Sequence, residues 1–463
     1  MPVTILHPHE PRSNAEREAN ALLEPHSLRT FTPTQAVISH SAGVYHWTAD
    51  GRRLYDFTSG VLVSNLGHNP EEWMRRFQRY MHWQDRGAQP GGVPKGYFAA
   101  LPMTAYNAMT PVEVEANKKL IALLRGSPGG TRFERVMWAA SGSEAIQKAI
   151  WAAMARDKTR PMILATRFGF HGKKGLANAV TGSESDAERD PRVRFITFPT
   201  VECRDVSVRD EPFDPTPYRK ELDALLHQFG RKIGTLITEP YLGGGGSYHP
   251  PKAYLQLLDR FCRENDIVFI LDEVQSNFGR TGAMFAFETY GLEPDIVVLG
   301  KGLGNGIPVA AAVGRADVFA SLDYGEGSDT WSANPVCCAA VLATLDEFAA
   351  HDVLGAMHES SAIIERGLVT LKELPFVANV RGECGGMVWG IEMRDYAGRS
   401  ANEWANAFVL ACYVGEGTGG DGVHLLGPLA KKVVRVAPPL VITPQEATAA
   451  LDLTHRAARR LLT

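Results

Sequence analysis

Along the middle of the chain, short runs of Val, Ile, Leu and Ala alternate with longer stretches in which apolar residues recur every three or four positions. The short runs are RVMWAA (135–140), PMILAT (161–166), VRFITF (193–198), GTLITE (234–239), IVFILD (267–272), DIVVLG (295–300) and PVAAAVG (308–314). Most are apolar without alternation, which predicts strands buried on both faces. Between them, VEVEANKKLIALLRG, SGSEAIQKAIWAAMARDK, YRKELDALLHQFG and AYLQLLDRFCREN carry helical periodicity. The second of these has Ser141 or Ser143 as its cap. Strands alternating with helices predict an α/β fold with a mostly parallel central sheet.

The flanks differ. Residues 1–45 are polar, with early prolines, and predict an extended arm or a short helix. VYHWTADGRRLYDFTSG predicts two short strands around Asp50-Gly51, a hairpin signal. A long helix is expected after Asn334-Pro335. Beyond about residue 350, FVANVRGECGGMVWGIEM, KKVVRVAPPLVIT and a closing helix EATAALDLTHRAARRLLT predict a smaller α+β domain. The expected division is an N-terminal arm with part of the small domain (1–75), a large α/β domain (76–345) and a small C-terminal domain (346–463).

Charge narrows the class. Lys and Arg total 48 against 52 Asp and Glu, a net charge of −4 over 463 residues. Neither a nucleic-acid surface nor a polybasic membrane anchor fits that balance. The six cysteines are sparse and irregular, and no signal-peptide or membrane-spanning run is present, so a cytoplasmic location is expected. HPHE near the N-terminus suggests a disordered tail rather than a metal site. GEGTGG (415–420) matches GxGxxG but does not lead from a strand into a helix, so it reads as a loop of the small domain. Glycine is in excess, at 45 residues, and its location matters.

In parallel α/β sheets, ligands bind beyond the carboxyl ends of the strands. Five of the predicted strands end in polar or glycine-rich segments: Ser141-Gly142-Ser143-Glu144, Arg167 to Gly172, Glu239-Pro240 with Gly243 to Gly246, Asp272-Glu273-Val274-Gln275, and Lys301 with Gly302, Gly304 and Gly306. Taken singly these are caps, solvated loops and a surface lysine. Together they form a chemical set. Gly142 and Ser143 offer N–H groups at a helix N-terminus to a phosphate. Asp272 offers an anion, Lys301 an amine and Phe170 a flat ring face. Pyridoxal 5'-phosphate requires that combination.

At this point the chain resembles the class III aminotransferases, pyridoxal-phosphate enzymes of fold type I. DEVQSNFGRTGAMFAFETYGLEPDIVVLGKGLGNGIPVAA (272–311) carries the resemblance most specifically. DFTSGVLVSNLGHNP, SGSEA, FHG, EP, TWSANP and RVAPPLVIT match further motifs in order. The resemblance implies a Schiff base and proton shuttle at Lys301, with Asp272 on the pyridine nitrogen. It implies Gln275 on the ring hydroxyl, and Val274 and Phe170 on the two ring faces, with His171 next to Phe170. Ser141, Gly142 and Ser143 would bind phosphate, Glu239 would belong to the cofactor site, and Thr330 would reach the phosphate of a neighbouring subunit's cofactor. Arg435 would bind a substrate carboxylate. The implied activity moves an amino group, a terminal one, from an amine or amino acid to a 2-oxo acid such as 2-oxoglutarate or pyruvate. The implied assembly is a homodimer with shared sites, or a tetramer built from it. An aminomutase, epimerase or lyase on the same scaffold is the alternative.

Three departures bear on substrate. Lys173 stands where many members have a carboxylate-gripping Arg, and lysine lacks the planar fork. Gly244 stands where many have a Glu that pairs with the equivalent of Arg435, so the usual gate is missing. Val61 stands where dialkylglycine decarboxylases of the family have Gln. Valine cannot donate to a departing carboxylate, which favours transamination.

Overall fold

The apolar runs do become strands, and their burial on both faces is the reason they lack alternation. The computed structural model describes residues 5–84, 89–186, 190–417 and 419–462. In chain order its strands are β1 (Ile38–Ala42), β2 (Tyr45–Thr48), β3 (Arg53–Asp56), β4 (Arg135–Ala139), β5 (Met162–Thr166), β6 (Val193–Ile196), β7 (Ile233–Thr238), β8 (Val268–Asp272), β9 (Ile296–Leu299), β10 (Ala310–Gly314), β11 (Val377–Gly382), β12 (Trp389–Met393), β13 (Gly422–His424) and β14 (Val433–Val436). Seven of them form one sheet in the order β4-β10-β9-β8-β7-β5-β6. β10 runs antiparallel to both its neighbours, and the remaining pairs are parallel. The fold is thus the expected α/β type with a mostly parallel sheet.

Helices cover this sheet. The helix Gly142–Arg156 buries Ile146, Ala149, Ile150 and Ala153 against Ile163, Ile237, Ile270 and Val298 of the strands. The helix Lys252–Glu264 buries Leu255, Leu258 and Phe261 in a second cluster that includes Leu236, Phe269 and Leu271. Consecutive strand residues therefore face two different cores. Burying a side chain of this size contributes roughly 1.5–3 kcal/mol each.

Two smaller sheets flank the main one. β11, β12 and β14 form an antiparallel sheet, and β1-β2-β3-β13 form a four-stranded one in which β13 pairs parallel with β3. The long-range pair joins residues 54–56 to 422–424. No described helix is long and apolar enough to cross a membrane.

The N-terminal region is more ordered than its polarity predicts. It forms the helix Pro11–Leu23 and also β1. HPHE is docked, which corrects the expectation of a disordered tail. A ring nitrogen of His7 meets Thr34 O at 2.7 Å. Glu10 pairs with Arg17 at 2.7 Å and Arg52 at 2.9 Å, and the Tyr413 hydroxyl donates to it at 2.9 Å. Partners remote in sequence anchor the segment, so local composition could not reveal it. GEGTGG follows the helix Ala401–Val414, with Gly415 at φ +55 as its cap, and the chain then enters β13. That helix-to-strand order is the reverse of a dinucleotide-binding turn. Thr418 lies outside the described residues.

After β3 the chain makes a left-handed turn. Ser59, Gly60, Val61 and Leu62 have φ of 49°, 59°, 68° and 61°. For non-glycine residues each such position costs roughly 1–2 kcal/mol. Asp56 holds the turn: its Oδ1 accepts from Thr58 N (2.7 Å), Thr58 Oγ1 (2.7 Å) and Ser59 N (3.1 Å). Ser59 Oγ donates to Ala437 O at 2.7 Å. Arg280 secures the same region. Fully buried, it donates to Asn65 Oδ1, Met387 O and Pro438 O. Burial lowers it to about 10, which leaves it cationic at neutral pH.

Candidate active site

The carboxyl ends of β8 and β9, the end of β4 and the loops after β5 and β7 converge on one cavity of about 380 Å3. Its walls include Ser141, Gly142, Ser143, Phe170, His171, Glu239, Asp272, Val274, Gln275 and Lys301. Ten residues expected from the sequence are thereby brought together. The start of β10 closes another side with Ile307, Pro308 and Val309, and Val63 follows the left-handed turn into the wall. These wall residues were not singled out in the sequence, since nothing distinguishes them from core positions.

The phosphate-sized corner is set by helix capping. Ser141 is the N-cap of Gly142–Arg156, and its side chain and that of Glu144 form a reciprocal capping box. Gly142 and Ser143 occupy the first two helical positions, whose N–H groups have no intrahelical acceptor. The positive end of a 15-residue helix therefore faces the cavity. A Cβ on Gly142 would lie 3.1 Å from Val274 Cγ1, so glycine allows the close approach.

Asp272 is buried at the end of β8. Its Oδ2 lies 2.7 Å from His171 Nδ1, and its Oδ1 accepts from Val274 N at 3.0 Å. Each oxygen keeps a further lone pair for an N–H in the cavity. Burial works against a charged His171, but the hydrogen bond and charge of Asp272 hold its pKa above the usual value. His171 Nε2 is buried with no partner among the described residues. Glu239 accepts from Phe170 N (2.8 Å) and Gly243 N (3.2 Å), and burial pushes it up to about 7. Burial, reinforced by the neighbouring Arg435 cation, lowers Lys301 to about 7. Lys301 itself sits at φ +47 at the end of β9. Glu273, by contrast, is structural: it accepts from Ala286 N and Phe287 N, both at 2.7 Å.

The glycine stretch after Glu239 packs against this wall. A Cβ on Gly243 would lie 2.3 Å from Gln275 Oε1, and one on Gly244 would lie 2.9 Å from Phe170 Cβ. The position expected to carry a gating carboxylate thus has no room for a side chain unless Phe170 moves. Arg435, buried on β14, donates from Nη1 to Gln275 Oε1 at 3.0 Å, and Glu239 acts on its charge without a direct ion pair among the described residues. Arg435 adjoins the cavity through Gln275 rather than lining it.

Three further expected residues lie outside the cavity wall. Lys173 is exposed on the loop beyond Gly172. Val61 is 37% exposed in the left-handed turn, and Val63 is the turn's contribution to the wall. Thr330 is exposed, next to Asp329, which is fixed by Lys148 at 2.6 Å.

These residues fit a phosphorylated pyridine. A helix N-terminus with open N–H groups lies at one end, and a carboxylate with free lone pairs and an amine of lowered pKa lie in the same cavity. Val274 and Phe170 bound its faces.

Comparison with known proteins follows the same line. The family model for class III aminotransferases matches residues 98–458. An acetylornithine aminotransferase of Methanothermobacter thermautotrophicus is 31% identical over 432 residues, covering 92% of this chain and 94% of the relative. Among solved structures, an (S)-enantioselective omega-transaminase from Thermomicrobium roseum has a TM-score of 0.79 at 25% identity, covering 97% of this chain and 99% of that one. A PLP-bound amine transaminase from an uncultivated Pseudomonas species has a TM-score of 0.76 at 23% identity, covering 99% of each chain, and shares the fold.

Proposed function

This chain belongs to the class III aminotransferases and is a pyridoxal-phosphate-dependent enzyme; we propose that it moves a terminal amino group from an amine or ω-amino acid to a 2-oxo acid such as 2-oxoglutarate or pyruvate. The observation that carries the reading is the convergence of Lys301, Asp272 and an open helix N-terminus on one cavity. The kinship with an acetylornithine aminotransferase and an omega-transaminase supports the terminal position of the amine.

When bound, the cofactor supplies a carbonyl carbon for amines and a ring that accepts electrons from a broken C–H bond. The chain supplies the rest. Lys301 Nζ, lowered to about 7, is available as the neutral amine at physiological pH. It would be the amine that holds the cofactor's carbonyl carbon and, once released, would carry a proton from the substrate carbon to the cofactor. Asp272, braced by His171, would keep a proton on the pyridine nitrogen by preorganised charge. The N–H groups of Gly142 and Ser143, with Ser141, would hold the phosphate. Phe170 and Val274 would flank the ring, and Glu239 and Gln275 complete the polar wall. Arg435 receives the 2-oxo acid carboxylate. Its direct partner Gln275 is neutral, so no ion pair has to be broken. Lys173, exposed and without the planar fork of an arginine, contributes at most a distant positive charge, which supports uncharged amines among the donors.

The assembly belonging to this reading is a homodimer with shared sites. Exposed Thr330 supports it, as do exposed apolar side chains such as Tyr97, Met109, Tyr324 and Trp331. The same reading divides the chain at 1–75, 76–345 and 346–463. It also places the chain in the cytoplasm, in keeping with six free cysteines.

The test uses holoenzyme and donor amine alone. An aminotransferase accumulates the amino form of the cofactor and stops until a 2-oxo acid is added. Turnover of donor without that accumulation would overturn amino transfer in favour of an aminomutase, epimerase or lyase. A panel of ω-amino acids, diamines and uncharged amines then ranks donors.

A further inference from the structure

Away from the cavity, β2, β3, β13 and the loop behind the left-handed turn bring three imidazoles to the Asp56 carboxylate. His68 Nε2 lies 2.7 Å and His46 Nε2 3.5 Å from the same oxygen, Asp56 Oδ2. The ligating atoms of these three residues all lie within 4.8 Å of one another. His424 is the register partner of Asp56 across β3 and β13, and its ring meets that of His46 edge-on with centroids 5.4 Å apart. Its Nδ1 is buried and has no hydrogen-bond partner among the described residues.

One carboxylate oxygen can accept from both imidazoles, so the unusual feature is the third ring. Here two imidazole nitrogens face one oxygen, and a third ring adds an unpartnered nitrogen. Neutral imidazoles grouped on a carboxylate are a donor set for borderline transition metals. We propose that His46, Asp56 and His68, completed by His424, bind one divalent transition-metal cation, with Zn2+ the fitting ion.

Two of the distances suit that ion, and His424, outside the 4.8 Å group, has to turn inward to complete the set. Zn–N and Zn–O bonds of about 2.0–2.2 Å place tetrahedral ligand atoms about 3.4 Å apart. The His46–Asp56 separation is already 3.5 Å, and His68 has to withdraw by only ~0.7 Å. Outer contacts orient the ligands. His46 Nδ1 meets Ser41 Oγ at 2.7 Å, and Asp56 Oδ1 is occupied by Thr58 and Ser59, which leaves Oδ2 toward the imidazoles. A cavity of about 550 Å3 beside the N-terminal helix reaches His424 and provides access. The bound cation ties three strands to the segment that carries Val63 into the active-site wall. None of its residues lines the active-site cavity, and the site goes beyond the amino-transfer reading, standing or falling independently of it.

The experiment treats holoenzyme with a chelator, removes the chelator, and titrates with Zn2+ by calorimetry and with Co2+ by visible absorption. One ion per chain is expected, with Co2+ bands of nitrogen–oxygen ligation, no thiolate charge-transfer band, and a raised Tm. His46→Asn and His424→Asn should each weaken binding at least about tenfold, whereas His351→Asn and Cys384→Ser leave it unchanged. Retained cofactor absorbance confirms that the variants fold, and the wild-type Co2+ spectrum stands without them. No binding at about 0.1 mM Zn2+, a thiolate band, or equal affinity in the His46→Asn/His424→Asn double variant would overturn the site and leave a hydrogen-bonded cluster only.

Discussion

The rim of the seven-stranded sheet and the four-stranded sheet beside it both bury an aspartate 2.7 Å from a histidine. At the rim, the other oxygen of Asp272 meets one backbone N–H, and lone pairs remain for a ligand. In the small sheet, Asp56 Oδ1 is saturated by three donors from the following turn. Burial alone would raise Asp56, but His46 and His68 hold it far below the usual carboxylate range. Glu239 and Lys301 at the rim are instead brought to about 7 by burial. The same pair of residue types thus serves proton chemistry in one place and backbone geometry in the other. What decides is whether the oxygen turned away from the histidine faces a cavity or the protein's own main chain.

Substitutions can break that comparison. Lys301→Ala should lower the amino-transfer rate by about 10⁴-fold or more while leaving Tm unreduced, because it removes an amine that is costly to bury. Asp272→Asn keeps the shape but not the charge. It should lower kcat about 10²–10³-fold and drop the His171 pKa, read by NMR. The matching change in the small sheet, Asp56→Ala, should act on stability instead, at a cost of about 3–5 kcal/mol in denaturant unfolding. If Asp56→Ala abolished catalysis without destabilising the fold, the contrast would be wrong.

Two smaller effects sharpen it. Cofactor capture by cofactor-free protein requires neutral Lys301. Its pKa of about 7 lies below the usual lysine value, so the ammonium dominates below pH 7. Capture, followed by absorbance, should rise about tenfold per pH unit up to 7 and then level off. Val61→Gly should relieve the left-handed strain and raise stability by up to about 1 kcal/mol. Val114→Gly, at a similarly exposed position within the helix Pro111–Gly126, should lower it.

Legibility in the sequence follows how local each determinant is. Asp272, Lys301 and Ser141 stand directly at strand ends or a helix start, so hydrophobic patterning and capping rules located them. β1 was missed because its burial pattern is almost wholly exposed. Arg280 reads as part of a loop, yet its acceptors are up to 215 residues away. The imidazoles around Asp56 come from positions 46, 68 and 424, which nothing local connects. Gly244 was legible as an absence of carboxylate, but its contact with Phe170 was not.

β10, the reversed strand, has a consequence for how such an enzyme can change. Because it runs against its neighbours, it begins at the rim where they end. Lys301 and the far wall, Ile307 to Val309, are therefore joined by only five residues, 302–306, which begin in a 3-10 turn. Lys301 and that wall form a single cassette. Replacing 305–309 as a block would reshape the space offered to the substrate while the β8 and β9 strand ends that position Asp272 and Lys301 stay in place, so new donor preferences are accessible through short contiguous exchanges rather than scattered ones.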